Sequence, residues 1–249
     1  MKEKLYTIPV NEAFHTDCEC PICKMYKSIE VDAIDYTMDN SYMQDDVRME
    51  TNKTGFCKVH LKQMYDYNNR LGLALILKTH MDETIQQVEQ LAEKSTPSKP
   101  KLFQKKESTP LETYLDTLHT SCFVCNRIDQ TFERYIATIL YLYRTDADFR
   151  ALYTSSKGFC TEHYRLLLLE AKKQLNSEQL NDFYTITNKL YLDHMKRVRD
   201  DLEWFADKFD YRYVDAPWKN SKDALPRSMT KIKSIIDEID VDEDKYELR

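Results

Sequence analysis

The sequence predicts an all-α protein made of two pseudo-repeated helical units, each organised around a Cys3His metal site, with a helical extension at the carboxyl end. Two observations carry this prediction. The 249 residues include only three glycines and seven prolines, too few for the turns of an all-β fold or for glycine-rich phosphate loops. The pattern Cys-x-x-Cys followed by Gly-Phe-Cys-x-x-His occurs twice. No stretch alternates polar and apolar residues over the length of a strand, so we expect little or no sheet.

Composition and charge narrow the class of protein. With 42% hydrophobic residues the chain can bury one substantial core or two small ones. The net charge of −6 argues against a protein that coats nucleic acid or an anionic membrane. The amino terminus has no apolar stretch typical of a signal peptide, and the longest apolar runs are far shorter than a membrane span. We therefore expect a cytoplasmic protein whose seven cysteines are metal ligands or redox thiols.

The duplicated pattern identifies the candidate metal ligands. In the first copy 33 residues separate the last cysteine of C-x-x-C from the cysteine of G-F-C-x-x-H, and in the second copy 34 residues do. Asp46-Val47-Arg48 and Asp148-Phe149-Arg150 also lie at nearly the same distance before the two G-F-C motifs. The eight candidate ligands are Cys20, Cys23, Cys57, His60, Cys122, Cys125, Cys160 and His163.

Three thiolates and one imidazole form the closed tetrahedral shell of a structural zinc site, so we expect two zinc ions. An iron–sulfur cluster is the alternative, since it also accepts cysteine with an occasional histidine. A thioredoxin-like function for C-x-x-C is weaker, because it gives no reason for the paired C-x-x-H. The ligands can combine within each copy or across the copies. The equal loop lengths fit sites within each copy more simply.

Several residues near the motifs carry expectations of their own. Gly55 and Gly158 should turn the chain with positive φ before a helix. Phe56 and Phe159, which follow them, can seal the site against water.

Charged residues and spare ligands near the motifs need separate interpretation. Arg48 and Arg150 are candidates to neutralise the negative charge of a zinc trithiolate, with an ordinary surface ion pair as the alternative. Cys18 has no counterpart in the second copy and is either a spare thiol or a swapping ligand or redox sensor. His15 and His119 flank the C-x-x-C pairs, and we do not expect them to be ligands.

Helical periodicity places the motifs on helices. Apolar residues recur at helical spacing after the second C-x-x-C, and Thr109-Pro110 with Glu112 forms a capping sequence for a short helix before Cys122. A break is expected at Asn176-Ser177. The predicted helices cover residues 24–45, 58–94, 126–145, 161–175 and 177–211.

The chain is predicted to contain four regions. A proline- and lysine-rich stretch separates the two copies and is typical of a linker or exposed crossover. The acidic end, Asp237 to Glu247, is expected to be a solvated tail. The regions are 1–94 (first metal-binding helical repeat), 95–110 (linker), 111–212 (second metal-binding helical repeat) and 213–249 (carboxy-terminal loop, helix and acidic tail).

The carboxy-terminal sequence is distinctive. Residues 202–212 read LEWFADKFDYR, and residues 216–227 read APWKNSKDALPR. We expect this segment to fold back on the helical body, with Asp223 capping a last helix that tolerates Pro226 in its first turn. An alternative is a ligand pocket lined by aromatic and arginine side chains. The candidate pocket residues are Trp204, Phe209, Trp218, Arg212 and Arg227.

These motifs together carry a resemblance to a known family. The C-P-I-C, C-F-V-C and two G-F-C-x-x-H motifs, with the carboxy-terminal strings, resemble a bacterial family of unknown function over nearly the whole chain. The resemblance implies a bacterial source and no particular activity.

Two classes of function remain open from the sequence. The first is a non-enzymatic scaffold or adaptor in which zinc holds short helices that present a surface to a protein partner. The second is a redox or metal-responsive protein with iron–sulfur or labile zinc sites, with Cys18 and a labile first site as its switch. No phosphate loop, nucleophile elbow or H-E-x-x-H motif favours an enzyme. Nucleic-acid binding through the lysines of residues 94–106 is a third, weaker class.

Overall fold

The computed structural model describes residues 4–39, 41–95 and 108–234, and these residues are all helical or irregular. No strand occurs in these ranges, so the all-α prediction is confirmed. One 3-10 turn spans Ser41–Met43. The α-helices are α1 Lys4–His15, α2 Pro21–Met38, α3 Asp45–Thr54, α4 Lys58–Asp66, α5 Arg70–Ala92, α6 Pro110–Thr120, α7 Phe123–Thr145, α8 Ala147–Ser155, α9 Thr161–Gln174, α10 Ser177–Asp207 and α11 Ala224–Lys233.

The predicted helix after the first G-F-C is two helices. The chain breaks after α4, where Asn69 accepts a hydrogen bond from the Gly72 amide and caps α5. The Asn69 side chain also donates to the Met38 carbonyl at 2.7 Å, which ties the break to the end of α2. The capping box at Thr109 and the break at Asn176 both occur as predicted. Capping residues were sufficient to predict these two helix starts from the sequence. The sequence analysis did not predict α1, which has no comparable capping sequence.

Two compact units make up the chain. One consists of Met1–Ser28 with Phe132–Arg249, and the other of Ile29–Thr131. The boundaries fall inside α2 and α7. Each unit therefore takes residues from both sequence copies, so the repeats 1–94 and 111–212 describe the sequence pattern and not the compact units.

An aromatic core fills the first unit. The Tyr153 ring lies 5.1 Å from Tyr143 and 5.2 Å from Phe159, measured between ring centroids. Phe14 stacks on Tyr153 at 5.7 Å. The Tyr153 hydroxyl shares a hydrogen bond of 2.8 Å with Thr187, which satisfies the one polar atom of this buried ring. Packing is thus the role of many of the aromatic residues, as such rings favour edge-to-face contacts in protein cores.

The second unit packs α3 against α5. Val47 and Thr51 on α3 are buried, as are Leu73 and Ile76 on α5. The repeated Asp-x-Arg sequences lie on equivalent helices, because Asp46 is the second residue of α3 and Asp148 is the second residue of α8. The likeness between the two copies therefore extends beyond the metal motifs to the short helix before each G-F-C.

The carboxy-terminal segment folds back on α10 around one buried lysine. The Lys208 ammonium donates to the carbonyl oxygens of Tyr213, Val214 and Ala216 at 2.8, 2.7 and 2.5 Å. The Trp204 indole N–H donates to the Pro217 carbonyl, and the Trp218 ring lies 5.8 Å from that of Phe205. These contacts favour packing of the segment over a ligand pocket.

The arginines of the alternative pocket have carboxylate partners. Arg212 pairs with Asp210, and Arg227 pairs with Asp201 and Asp223. Asp223 precedes α11 without a side-chain capping bond, and Pro226 lies in the first turn as expected. Both guanidinium groups are therefore held by contacts within the chain.

The structure does not describe every predicted region. Most of the predicted linker and the whole acidic tail lie outside the described residues. Among the described helices, none combines the length and apolar character needed to cross a membrane.

Lys208→Met should lower the free energy of unfolding by about 1–3 kcal/mol, because three carbonyl groups lose a charged donor. Both tryptophans of the chain lie at this segment, so intrinsic fluorescence should also change. Urea denaturation measures both quantities. Lys219→Met is the matched control, since Lys219 is exposed, and it should change stability by less than about 1 kcal/mol. Equal stability of wild type and Lys208→Met would contradict the role given to Lys208.

Candidate metal centres

The eight predicted ligands gather into two groups, each with three cysteines and one histidine. We call the groups site I and site II. In each group the donor atoms lie within 4.8 Å of one another, close enough to hold a metal ion. Site I consists of Cys20, Cys23, Cys160 and His163, and site II consists of Cys57, His60, Cys122 and Cys125.

Each site combines the C-x-x-C of one copy with the C-x-x-H of the other. The simpler expectation of sites within each copy is therefore wrong. Helix lengths supply a physical reason, because α2 extends about 27 Å and α7 about 35 Å at 1.5 Å per residue. The helices that follow them before the G-F-C motifs, α3 and α8, are only about 15 Å and 14 Å long. Because α3 and α8 are short, they do not bring the chain back to the C-x-x-C at which α2 or α7 began. The number of residues between the motifs does not reveal this difference in helix length.

Helix amino termini position every ligand. Cys57 and Cys160 are the N-cap residues of α4 and α9, and His60 and His163 follow three positions later on the same helical face. In each C-x-x-C pair the first cysteine precedes its helix and the second lies in the first turn, at α2 for site I and α7 for site II. Two helix amino termini thus converge on each site, and their dipoles favour thiolates there.

Site I is fully enclosed. The His163 Nδ1 atom lies 3.5, 3.3 and 3.2 Å from the Sγ atoms of Cys20, Cys23 and Cys160. The Cys23 and Cys160 sulfur atoms are 3.6 Å apart. The Phe132 ring lies 5.5 Å from the His163 ring, and all four ligand residues are buried. Phe159, predicted to seal the site, has no exposed surface and packs in the aromatic core.

Site II has the same donor geometry and more exposure. The His60 Nδ1 atom lies 3.3, 3.4 and 3.3 Å from the sulfur atoms of Cys57, Cys122 and Cys125. The Cys57 and Cys125 sulfur atoms are 4.0 Å apart. His60 and Cys122 are buried, whereas Cys57 and Cys125 are partly exposed. The two sites therefore share a ligand arrangement but not an environment.

The glycines before the cysteines have the predicted positive φ, 59° at Gly55 and 74° at Gly158. A Cβ atom at Gly55 would lie 2.8 Å from the His80 ring, and one at Gly158 would lie 3.0 Å from the Leu190 carbonyl and 3.7 Å from the His194 ring. His80 and His194 thus occupy equivalent places against the turns that present the ligands. The Gly55 carbonyl also accepts a hydrogen bond from the Phe123 amide, which joins the two motifs of site II.

A buried ionic cluster borders site I. The Lys231 ammonium lies 3.3 Å from the Glu19 carboxylate, to which Arg197 also donates at 2.5 and 2.7 Å. Burial acts to raise the pKa of Glu19, but Arg197 and Lys231 together hold it below its usual value. Burial in turn lowers the pKa of Lys231. Arg150, a candidate to neutralise a site, forms the alternative, a surface ion pair with Asp182.

A carboxylate borders site II. The His60 Nε2 atom lies 3.4 Å from the Glu30 carboxylate, so Nδ1 is left to face the three sulfur atoms. A histidine ligand whose second nitrogen donates to a carboxylate is typical of protein metal sites. Sequence reasoning missed Glu30, Glu19 and Lys231, because no local signal links them to ligands distant in the chain. Glu30 lies on α2, as does Cys23 of site I, but its carboxylate contacts His60 of site II.

Without a metal ion the donor atoms compete for protons. At site II, burial opposes a Cys122 thiolate, but hydrogen bonds from His60 and the Cys125 amide lower the pKa of Cys122 to about 6. Burial opposes an imidazolium, yet Cys122 and Glu30 raise the pKa of His60 to about 10. Burial and the nearby Cys122 thiolate raise the pKa of Cys125. The metal-free site therefore keeps protons on His60 and Cys125 that a bound ion would displace.

Site I shows the same pattern. Hydrogen bonds from the Cys20 and Cys23 thiols hold the pKa of Cys160 far below its usual value, and the contact with Cys160 raises that of Cys23. Burial acts against a charged His163, but the hydrogen bond to Cys160 raises the pKa of His163 to about 10. A divalent cation would replace these protons as the counter-charge for several thiolates.

The other candidate residues stay outside both groups. His15 and His119 are exposed and belong to neither site. Cys18 is also not a member of the site I group. Burial, together with the nearby Cys20, raises the pKa of Cys18 to about 11, so this thiol stays protonated at neutral pH. A protonated thiol is a poor nucleophile, which disfavours Cys18 as a redox sensor.

Comparison with known proteins gives a family and no activity. The model of a family of unknown function, DUF6062, matches residues 1–239. The chain belongs to this family. No curated protein and no solved structure matches the chain. Membership in the DUF6062 family therefore leaves the two groups of cysteine and histidine as the basis for a functional argument.

Gly158→Ala should lower the free energy of unfolding by about 1–3 kcal/mol, because an L residue is strained at this positive φ. The new methyl group would also press on the Leu190 carbonyl, which is backbone and cannot rotate away. Ser155→Ala, an exposed change at the end of α8 three residues earlier, is the control and should stay within about 0.5 kcal/mol of wild type. Chemical denaturation with the metal content held constant measures the difference. A Gly158→Ala variant as stable as the control would show that the turn tolerates other residues.

Proposed function

We propose that this protein binds two zinc ions, one at site I and one at site II, and that the ions hold helix ends in a scaffold that presents a surface to a protein partner. The observation that carries the proposal is the presence of two separate Cys3His groups with nearly identical donor distances. Such a duplicated arrangement is typical of structural zinc sites.

Donor distances favour a single ion at each site over an iron–sulfur cluster. Zinc bonds of about 2.3 Å to sulfur and about 2.0–2.1 Å to nitrogen in a tetrahedron put sulfur atoms about 3.8 Å apart and sulfur about 3.6 Å from nitrogen. One sulfur–sulfur distance is 3.6 Å in site I and 4.0 Å in site II, and all donor atoms of a site lie within 4.8 Å of one another. The sulfur–nitrogen distances are 3.2–3.5 Å. In a four-iron cluster each ligand binds a different iron, which requires the donor atoms to stand farther apart.

The closed ligand shell favours a structural role over catalysis. Three cysteines and one histidine complete a tetrahedron and leave no position for a water or a substrate. Six of the seven cysteines belong to the two groups, which favours metal binding over disulfides and supports a reducing compartment such as the cytoplasm. A redox or metal-responsive function is the second candidate, and the partial exposure of Cys57 and Cys125 favours it.

Metal analysis of protein purified without oxygen tests the proposal. We expect about two zinc ions per chain and a colourless solution. Cys57→Ala and Cys160→Ala should each leave about one zinc and lower the melting temperature, because structural zinc contributes directly to folding free energy. Cys18→Ala is the control and should keep both ions. Iron with sulfide and a brown colour would contradict the zinc assignment, and so would full metal content in both ligand variants.

A further inference from the structure

We propose that the two sites differ in function: site II is an exchangeable metal site that passes its ion to and from chelating ligands, and site I retains its ion. This inference rests on the proposed zinc binding and deepens it. The argument depends on how each site is covered and on the charges beside it.

Access to the ligands differs between the sites. At site I the exposed fractions of Cys20, Cys23, Cys160 and His163 lie between 0 and 5%. At site II, Cys57 and Cys125 are both partly exposed. Their sulfur atoms form one edge of the ligand tetrahedron, 4.0 Å long. We infer that an incoming ligand approaches site II from the side of these two residues, whereas site I has no partly exposed ligand residue.

A helix covers site I. The Lys231 ammonium on α11 donates to the carbonyl of Glu19 at 2.7 Å and to that of Lys157 at 2.6 Å. Glu19 directly precedes the C-x-x-C of site I, and Lys157 directly precedes its G-F-C. One side chain thus ties together the two segments that carry the four ligands. The Thr161 hydroxyl donates to the Lys231 carbonyl at 3.1 Å, which holds α11 against α9.

A hydroxyl also contacts a sulfur atom of site I. The Ser234 oxygen, just after α11, lies 3.0 Å from the Cys160 sulfur. The Ser234 hydroxyl also donates to the Glu162 carboxylate at 3.3 Å, so Ser234 links the Cys160 sulfur to a side chain in the first turn of α9. Attack on this sulfur by a metal acceptor or an electrophile would require the end of α11 to move away.

Charged side chains border both sites. A zinc ion with three thiolates carries a net charge of −1. At site I the buried Lys231 ammonium and Arg197 lie against Glu19, and Arg197 also lies 3.9 Å from the Asp201 carboxylate. At site II the Glu30 carboxylate lies 3.4 Å from His60 Nε2. A buried ammonium group beside the ligand segments opposes departure of a thiolate from the ion, and among these residues only site I has one.

Exchange at site II needs no oxidation. A donor atom of the incoming ligand forms a bond to the ion as the Cys57 or Cys125 sulfur leaves it and takes up a proton. Repetition of this step transfers the ion, and zinc remains divalent throughout. The reverse sequence reloads the site.

Zinc release from the full-length, zinc-loaded protein tests the inference, with 4-(2-pyridylazo)resorcinol in excess as the chromophoric acceptor. We expect two phases, each of about one zinc per chain, with rates at least about tenfold apart. Cys125→Ala should lack the fast phase and keep the slow one. A single phase for two bound ions would overturn the inference, and so would loss of the slow phase in Cys125→Ala. A chain that binds no zinc at all would instead contradict the proposed function.

Variants of α11 test the cover on site I. Lys231→Met should accelerate the slow phase by about tenfold and leave the fast phase unchanged, because the two ligand segments lose their shared donor. Lys233→Met, on the exposed side of the same helix, is the matched control and should change neither phase. Ser234→Ala keeps the helix contacts and should accelerate the slow phase by about two- to threefold, which gives a result even if Lys231→Met folds poorly. Unchanged slow phases in both Lys231→Met and Ser234→Ala would overturn the role of α11.

Discussion

The pairing of candidate ligands from opposite copies of the sequence is the constraint on which this structure depends. Cys20 and His163 meet across 143 positions of the chain, and Cys57 and Cys125 across 68. The conformational entropy lost on closing a loop grows only slowly with loop length, so these long separations add little to the cost of closure. In return, four donor atoms within 4.8 Å fix the amino termini of α2 and α9 at one site and of α4 and α7 at the other. Bound ions would further stabilise the contact between the two helix amino termini at each site.

Identical motifs acquire different properties from what packs around them. Both sites use an N-cap cysteine, a histidine three residues later and a positive-φ glycine before them. Only site I receives Lys231 and Ser234 from α11, which lies beyond the duplicated region. Site II receives Glu30 instead. A duplication with a later, one-sided extension would account for one enclosed and one partly exposed site in the same chain.

Local features were predictable from the sequence, and long-range ones were not. The candidate ligands and the glycine turns depend on spacings of three residues or fewer, and the Thr109 cap on a capping box, so each pattern can be recognised within a single turn. The pairing of the copies depends on the lengths of α2 and α7 relative to α3 and α8, and the predicted helix of residues 24–45 extended past the end of α2 at Met38. Lys231 and Glu30 reach their sites only through tertiary packing, and their local sequence carries no metal signature.

The most direct test of the crossed pairing is the zinc content of two double variants. Cys20→Ala with Cys160→Ala removes two ligands of site I, and Cys20→Ala with Cys57→Ala removes one ligand from each site. The account predicts about one zinc per chain in the first variant and none in the second. Ligand pairing within each copy requires the reverse, none in the first and about one in the second, and that result would contradict the account.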